Sequence, residues 1–385
     1  MNSLQNPPLA QIAPDVLRRI CSPALLFFPE RITANIQSML RMVGYDPARL
    51  RPHVKTHKCG KIVRQLVNEG ITRHKCATLR EAEVLAENGA TDILLAYPAV
   101  GPLAIGLSRL AAKWPKVLFS TVIDSPTGWA DLSNAVRDTR VQLGIFLEID
   151  VGHGRTGVSE LDFAVEFARM ISSIPGFRFR GLHGYDGHVG SGSPEERPVL
   201  AARVREHLTS WKQVIERAGF PVETLIMAGS PSFPHHAAHL LPGMELSPGT
   251  VVLHDRGYGK HAELSCFVPA VAVLTRVIGR PTENRLTFDC GSKAIACDQP
   301  AGARLVLEGL ENARGVLHNE EHLVVEADST EGWVVGKPTL AWPVHACPTS
   351  AWYDEAIAID ANGNIAGIWP IDARGRGSRI IELLA

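Results

Sequence analysis

The sequence predicts an α/β protein, a (β/α)8 TIM-type barrel followed by a second, all-β domain. Two observations carry this. From residue 23 to 255, short apolar or β-branched runs alternate with longer helical patterns, as expected of repeated strand–helix units around a parallel sheet. After Asp255 the texture changes to short runs broken by Gly, Pro and Asn, without helical patterns between them. The first region holds roughly eight to nine runs, the number and size at which a barrel of this kind closes. A doubly wound open sheet would share the alternation, but its early glycine fingerprint is absent from the sequence.

In order, the expected barrel strands are Ala24–Phe28, Pro52–Lys55, Arg73–Ala77, Ile93–Ala96, Val117–Ile123, Leu143–Asp150, Phe177–His183, Leu225–Ala228 and Leu246–Leu253. Helices are expected over Leu79–Asn88, Glu160–Ser172 and Glu195–Ala218, where apolar positions recur at helical spacing and Gly or Pro stands at the ends. The β domain is expected to use Val271–Val277, Arg285–Asp289, Leu305–Leu307, Leu323–Glu326, Trp333–Val335 and Ala356–Asp360. The resulting division is a cofactor-binding barrel over 23–255 and a β domain over 256–385, joined by residues 1–22.

Composition narrows the function. At 385 residues and 45% hydrophobic, the chain can bury a large core. Lys+Arg 39 against Asp+Glu 40, with no basic run, excludes a nucleic-acid footprint and points to a small-molecule partner. No apolar run reaches the ~18 residues of a membrane span, and the amino terminus lacks a leader pattern, so a cytoplasmic protein without a membrane partner is expected. Seven scattered cysteines, an odd number, suit a reducing compartment better than a disulfide framework.

The segment Arg51-Pro52-His53-Val54-Lys55-Thr56-His57-Lys58 is the most informative. It puts a lysine at the end of a short extended run, on the face where barrels place their chemistry. Most lysines are solvated charges, but a lysine at a barrel mouth can be an amine nucleophile towards a carbonyl, most economically that of pyridoxal 5′-phosphate. Such a cofactor needs a phosphate cradle. Ala228-Gly229-Ser230-Pro231-Ser232 follows one late strand and Ser247-Pro248-Gly249-Thr250 lies in the next unit, where phosphate sites recur in barrels. Either alone is as well read as a turn. Asp150-Val151-Gly152-His153-Gly154-Arg155 ends another strand in a Gly-rich turn, and its guanidinium suits a phenolate oxygen. In the β domain, Val344-His345-Ala346-Cys347 places imidazole and thiol two apart, on one face if the run is a strand. Two ligands are fewer than a closed structural zinc site uses, which leaves positions open, and the nitrogen–sulfur set favours zinc.

These segments resemble the D-threonine aldolase and D-serine dehydratase family, whose barrel is similar to that of alanine racemases. The similarity spans nearly the whole chain and rests on RPHVKTHK, the Asp150–Arg155 turn, Gly184-Tyr185, the phosphate turns and the late His-x-Cys. It implies that Lys55 carries the pyridoxal phosphate, Arg155 contacts the phenolate oxygen and Tyr185 faces the pyridine nitrogen. Gly229, Ser230, Ser232, Gly249 and Thr250 would hold the phosphate. His345 and Cys347 would hold a divalent metal, zinc first, with manganese or magnesium as alternatives. His188 is the candidate acid/base group, although the family's histidine lies further beyond the tyrosine. The resemblance also implies a homodimer and a D-3-hydroxy amino acid substrate.

Two reactions share that geometry. Removal of the hydroxyl proton breaks Cα–Cβ and gives glycine and an aldehyde, the D-threonine aldolase outcome. Removal of the Cα proton with loss of hydroxide gives a 2-oxo acid and ammonia, as in D-serine or 3-hydroxyaspartate dehydratases, whose metal pair His345/Cys347 resembles. Aldol cleavage ranks first and dehydration second. An amino-acid racemase would not need the metal pair, and non-catalytic pyridoxal-phosphate carriers lack a long β domain.

Overall fold

Seven short parallel strands, buried along nearly their whole length, form one sheet in sequence order: β2 (Arg73–Cys76), β3 (Asp92–Leu95), β4 (Leu118–Ile123), β5 (Leu143–Glu148), β6 (Phe177–Gly184), β7 (Thr224–Met227) and β8 (Met244–Leu246). Such strands read as continuous apolar runs because helices cover their outer face and side chains fill the inner one. The computed structural model describes residues 8–137 and 139–376. It divides into two units: one gathers the residues up to Ser38, Thr56–Lys61 and Thr250–Arg374, the other Met39–Lys55 and Ile62–Gly249.

The parallel sheet belongs to the second unit, and its ring is closed by a segment that is not a strand. Leu50 bridges Leu246 of β8 and His53 bridges Lys75 of β2. The expected strand Pro52–Lys55 is therefore corrected: Pro52 has no N–H to give to a ladder, and the chain turns into a 3-10 helix at Val54–Thr56. The helices between strands follow the expected periodicity. Leu79–Glu87, for example, is capped by the Thr78 hydroxyl, which accepts from the Glu81 N–H.

The other unit is built on nine strands. Its main path runs β12 (Arg314–His318), β13 (Leu323–Glu326), β10 (Arg285–Phe288), β9 (Val271–Thr282), β1 (Ala24–Phe27), β15 (Glu355–Ile359) and β16 (Ile365–Pro370). β14 (Pro338–Pro343) joins β9 to β11 (Leu305–Leu307). Ala24–Phe27 is thus a strand but not a barrel strand: it pairs antiparallel with β9 and parallel with β15. A four-residue apolar run fits either sheet, and periodicity does not name its partner. Trp333–Val335 is a turn region rather than a strand, because Gly332 and Gly336 on either side take φ of 71° and 91°. The β region also contains one six-residue helix, Ala346–Ala351, where none was expected. The core of this unit gathers Ile12, Val16, Leu26, Phe28, Leu274, Leu340 and Trp342, with Phe28 stacked on Trp342 at 5.9 Å. Among the described residues, no helix is long and apolar enough to cross a membrane.

Candidate active site

The ring-closing segment is pinned from inside the barrel. Arg51, fully buried, donates to Glu245 at 2.6 Å and to both oxygens of Asp92 at 2.9 Å. Arg180 donates to the same Asp92 oxygens at 2.9 and 2.8 Å. Burial opposes the charge on Asp92, but the guanidinium of Arg51 outweighs it and holds the carboxyl well below the usual range. This network fixes Leu50–His53 between β8 and β2 and so sets where the next residues emerge.

What emerges is Lys55. Its backbone N–H donates to the Nδ1 of His53 at 3.2 Å, and its Nζ lies 5.9 Å from the centre of the Tyr185 ring. The guanidinium carbon of Arg155 sits 4.5 Å from the same ring centre. Both side chains line a cavity of about 500 Å³ together with His183, Glu148, Lys75, Tyr185 and the apolar Ala77, Ala96, Pro98, Val100 and Val122. Arg155 is presented by a turn wound around Asp150, whose carboxylate accepts from the N–H groups of Gly152 and Gly154 at 3.0 Å each. Gly157 closes the turn at φ 114°, where a Cβ would fall 2.4 Å from the Asp150 nitrogen. The sequence thus brings Lys55, Arg155 and Tyr185 into one pocket. His188 stands outside its lining: its ring stacks on His153 at 5.9 Å, and His153 meets the edge of Tyr185 at 5.4 Å.

The two late turns are more committed than their sequence suggests. The Gly229 N–H donates to Asp186 at 3.1 Å and to the Ser232 hydroxyl at 3.0 Å, and that hydroxyl donates to Asp186 at 2.9 Å. His236 donates to the other Asp186 oxygen at 2.7 Å. Burial opposes the charge on Asp186, but the hydrogen bond from His236 keeps its pKa low. The Gly229 amide and Ser232 therefore face the Asp186 network and shape the turn from within. Ser230 accepts from the Gly249 N–H at 3.2 Å, and Ser247, 4% exposed, has a buried hydroxyl without a partner among the described residues. Thr250 opens the next 3-10 turn, in the other unit, with its hydroxyl 3.6 Å from Cys347 Sγ.

His345 and Cys347 do come together, but not on a strand. β14 ends at Pro343, and His345 stands at the start of the helix Ala346–Ala351 with Cys347 in its first turn. The Asp298 carboxylate binds His345 Nδ1 at 2.5 Å, and Thr56 lies 3.2 Å from Cys347 Sγ. The hydrogen bond with Cys347 raises the His345 pKa to about 9, against the effect of burial and with help from Asp298. Among the described residues no group of three His, Cys, Asp or Glu side chains gathers to hold a metal, so the pair stands as a two-donor set. An imidazole oriented through one nitrogen by a carboxylate, next to a thiol, fits a borderline-soft divalent cation.

Lys75, Glu148, His183 and Asp186 escaped the sequence reading. Glu148 and His183 are hydrogen-bonded to each other at the ends of β5 and β6, and Thr156 donates to Glu148 at 3.3 Å. Burial lowers the pKa of His183, opposed by Glu148. For Glu148 the available signal was a charged residue at the carboxyl end of an otherwise apolar barrel strand, which is where such folds place their chemistry, whereas Lys75 lies in the polar strand Arg73–Cys76 and Asp186 beyond the end of β6.

The chain is similar to known proteins along nearly its whole length. The alanine racemase N-terminal domain model matches residues 29–256 and the putative serine dehydratase domain model matches residues 270–359. The chain is 28% identical to a D-threonine aldolase of Arthrobacter sp over 96% of both proteins. It is 26% identical to a D-threo-3-hydroxyaspartate dehydratase of Delftia sp. (strain HT23), over 91% of this chain and 97% of that one. The crystal structure of D-threonine aldolase from Filomicrobium marinum superposes with a TM-score of 0.84 at 27% identity, covering 92% of this chain and 96% of the other. The chain belongs to the family of the alanine racemase N-terminal domain, carried here in one polypeptide with a putative serine dehydratase domain.

Proposed function

We propose that the chain is a pyridoxal-phosphate- and divalent-metal-dependent lyase on D-3-hydroxy amino acids, and that it cleaves them as a D-threonine aldolase does, to glycine and an aldehyde. The observation that carries this reading is the single pocket in which Lys55 and Arg155 face one Tyr185 ring. Similarity to a D-threonine aldolase over 96% of both chains supports it.

The residues fit the cofactor. Lys55 would offer an amine to its carbonyl, Arg155 a permanent cation to its phenolate oxygen, and Tyr185 would face its pyridine nitrogen. Ser230 would offer its hydroxyl to the phosphate, held in place by the Gly249 N–H that it accepts from, and the partnerless Ser247 hydroxyl would add another. Gly229 and Ser232 contribute through Asp186, which holds their turn in shape. When bound, pyridoxal phosphate supplies an electron sink for the pair left on Cα. His345 and Cys347 would hold the cation, and their donor atoms favour zinc over manganese or magnesium. A bound divalent cation supplies a Lewis acid for the substrate's 3-hydroxyl.

The chain's own groups then manage protons. Lys55 exchanges a proton at Cα. His188 is the proposed group for the hydroxyl proton, and its ring is oriented by His153. The apolar side chains of Ala96, Pro98, Val100 and Val122 line the same cavity. The reading extends to a cytoplasmic homodimer, whose mass light scattering would measure.

Dehydration to a 2-oxo acid and ammonia is the second reading. It is favoured by the thiol at Cys347, where a carboxylate would suit manganese or magnesium, and by the similarity to the Delftia dehydratase. Product analysis with D-threonine separates them. Glycine with acetaldehyde supports cleavage, 2-oxobutanoate with ammonia supports dehydration, and neither product from a cofactor- and metal-loaded protein sinks both.

A further inference from the structure

We propose that Lys75 is a second catalytic amine of this pocket, exchanging a proton with the substrate's Cα alongside Lys55; the proposal rests on the lyase reading above. Lys75, the third of the four residues of β2, lines the same cavity of about 500 Å³ as Lys55 and places its Nζ at the same 5.9 Å from the Tyr185 ring centre. It is only 2% exposed. Among the described residues, no carboxylate lies within ion-pair distance of it.

That isolation is unusual for a buried lysine. The two acids whose fields reach it are Glu148 and Asp186. Glu148 is hydrogen-bonded to His183 and Thr156, and Asp186 to His236, Ser232 and the Gly229 amide. An unpaired ammonium inside a barrel is destabilising by several kcal/mol in its charged form, and such groups concentrate where their chemistry is used. The charged or titratable groups facing Lys75 are His53 and Lys55 from the closing segment, Glu148 from β5, Arg155 from its turn, and His183 and Asp186 from β6 and its end. Burial brings Lys75 down to about 7, with Glu148 opposing and Lys55 adding to the fall. An amine poised near neutrality can both give and take a proton.

The proton count gives Lys75 a task. In cleavage the substrate hydroxyl loses one proton and Cα gains one, so the electrons of the broken C–C bond end in a C–H bond. Lys75 as an ammonium gives its proton to Cα, is left as a neutral amine, and recovers a proton equal to the one the hydroxyl released. In dehydration the same neutral amine accepts the Cα proton.

Glycine isolates this step, because it has no hydroxyl. The experiment loads the full-length protein with pyridoxal phosphate, incubates it with glycine in D2O, and follows loss of the Cα–H signal by NMR. The wild type is expected to exchange, with an inflection in rate near pH 7. Lys75→Met should retain the cofactor's absorption yet exchange roughly 10²-fold more slowly. Lys75→Arg, which keeps the charge but does not give up its proton, should be as slow and lack the inflection. Wild-type exchange rates in Lys75→Met overturn the proposal. So do a slow Met variant with a fast Arg variant, since a fixed charge would then suffice. If Lys75→Met fails to fold, the Arg variant decides alone. A wild type that binds no cofactor at all overturns the lyase reading itself, which is a different result from a cofactor-loaded wild type that leaves glycine unexchanged.

Discussion

Towards the amino ends of the barrel strands, Arg51, Arg180, Asp92 and Glu245 neutralise one another through bonds of 2.6 to 2.9 Å. Towards the carboxyl ends, Lys55, Lys75 and Arg155 crowd one tyrosine ring, while the nearby acids Glu148 and Asp186 are bound to histidines. The same fold thus pairs its charges completely at one end and leaves cations in excess at the other. The difference separates holding the ring shut from the proposed role of the second end, where the phosphate of a bound cofactor would bring its own negative charge.

The comparison can be broken from either side. The largest effect is expected at the cation-rich end: Lys55→Ala should abolish the near-visible absorption of bound cofactor and reduce D-threonine turnover by roughly 10³-fold or more, measured on one preparation by spectrum and product assay. Chelation, by contrast, should stop turnover and leave that spectrum intact. Survival of activity in metal-free His345→Ala would remove the metal pair from the reaction. At the paired end, Arg51→Met takes one of two arginine partners from each of the buried carboxylates Asp92 and Glu245, which keep Arg180 and Arg73, and should cost about 2–3 kcal/mol in urea unfolding. A neutral result would mean that the network does not hold the ring.

Lys75→Met should behave oppositely and leave stability unchanged or raised, because it removes a buried charge without stranding a partner. The sign with pH follows. The folded-state pKa of Lys75, about 7, lies below its unfolded value of 10.5. Between these the unfolded chain binds more protons, so the apo wild type should gain stability relative to Lys75→Met as pH rises from about 7 towards 10.5. The smallest effect belongs to the exposed pair Arg178–Glu223, 2.7 Å apart: Arg178→Ala should change stability by less than about 1 kcal/mol.

The two ends were not equally legible in the sequence. Strands such as Leu143–Glu148 and Phe177–Gly184 were readable because burial on both faces demands a continuous apolar run. Lys55 and Arg155 were readable because proline, histidine or glycine beside them restricts the backbone. Lys75 was not: a lysine in a polar strand reads as solvated until its neighbours across the ring are known. Asp186 looked like a loop residue, and its role appears only through His236, which lies fifty positions on. Ala24–Phe28 was recognised as a strand but placed in the barrel, since register with β9 depends on residues some 250 positions away. The His345–Cys347 spacing brought the two side chains together by way of the wrong element, because a helix start does so as a strand face would.

The closure of the ring has a consequence for how the protein is made. Leu50 finds its bridge on Leu246, nearly two hundred residues later in synthesis, and His53 meets Lys75 only a short way on. A chain emerging from the ribosome can pair β2 with the segment before it early, but the socket that aims Lys55 stays open on its other side until β8 has been translated. Lys55, the proposed cofactor lysine, is laid down near the beginning and reaches its place near the end, so pyridoxal phosphate added to a nascent chain truncated before Met244 should find no stable seat.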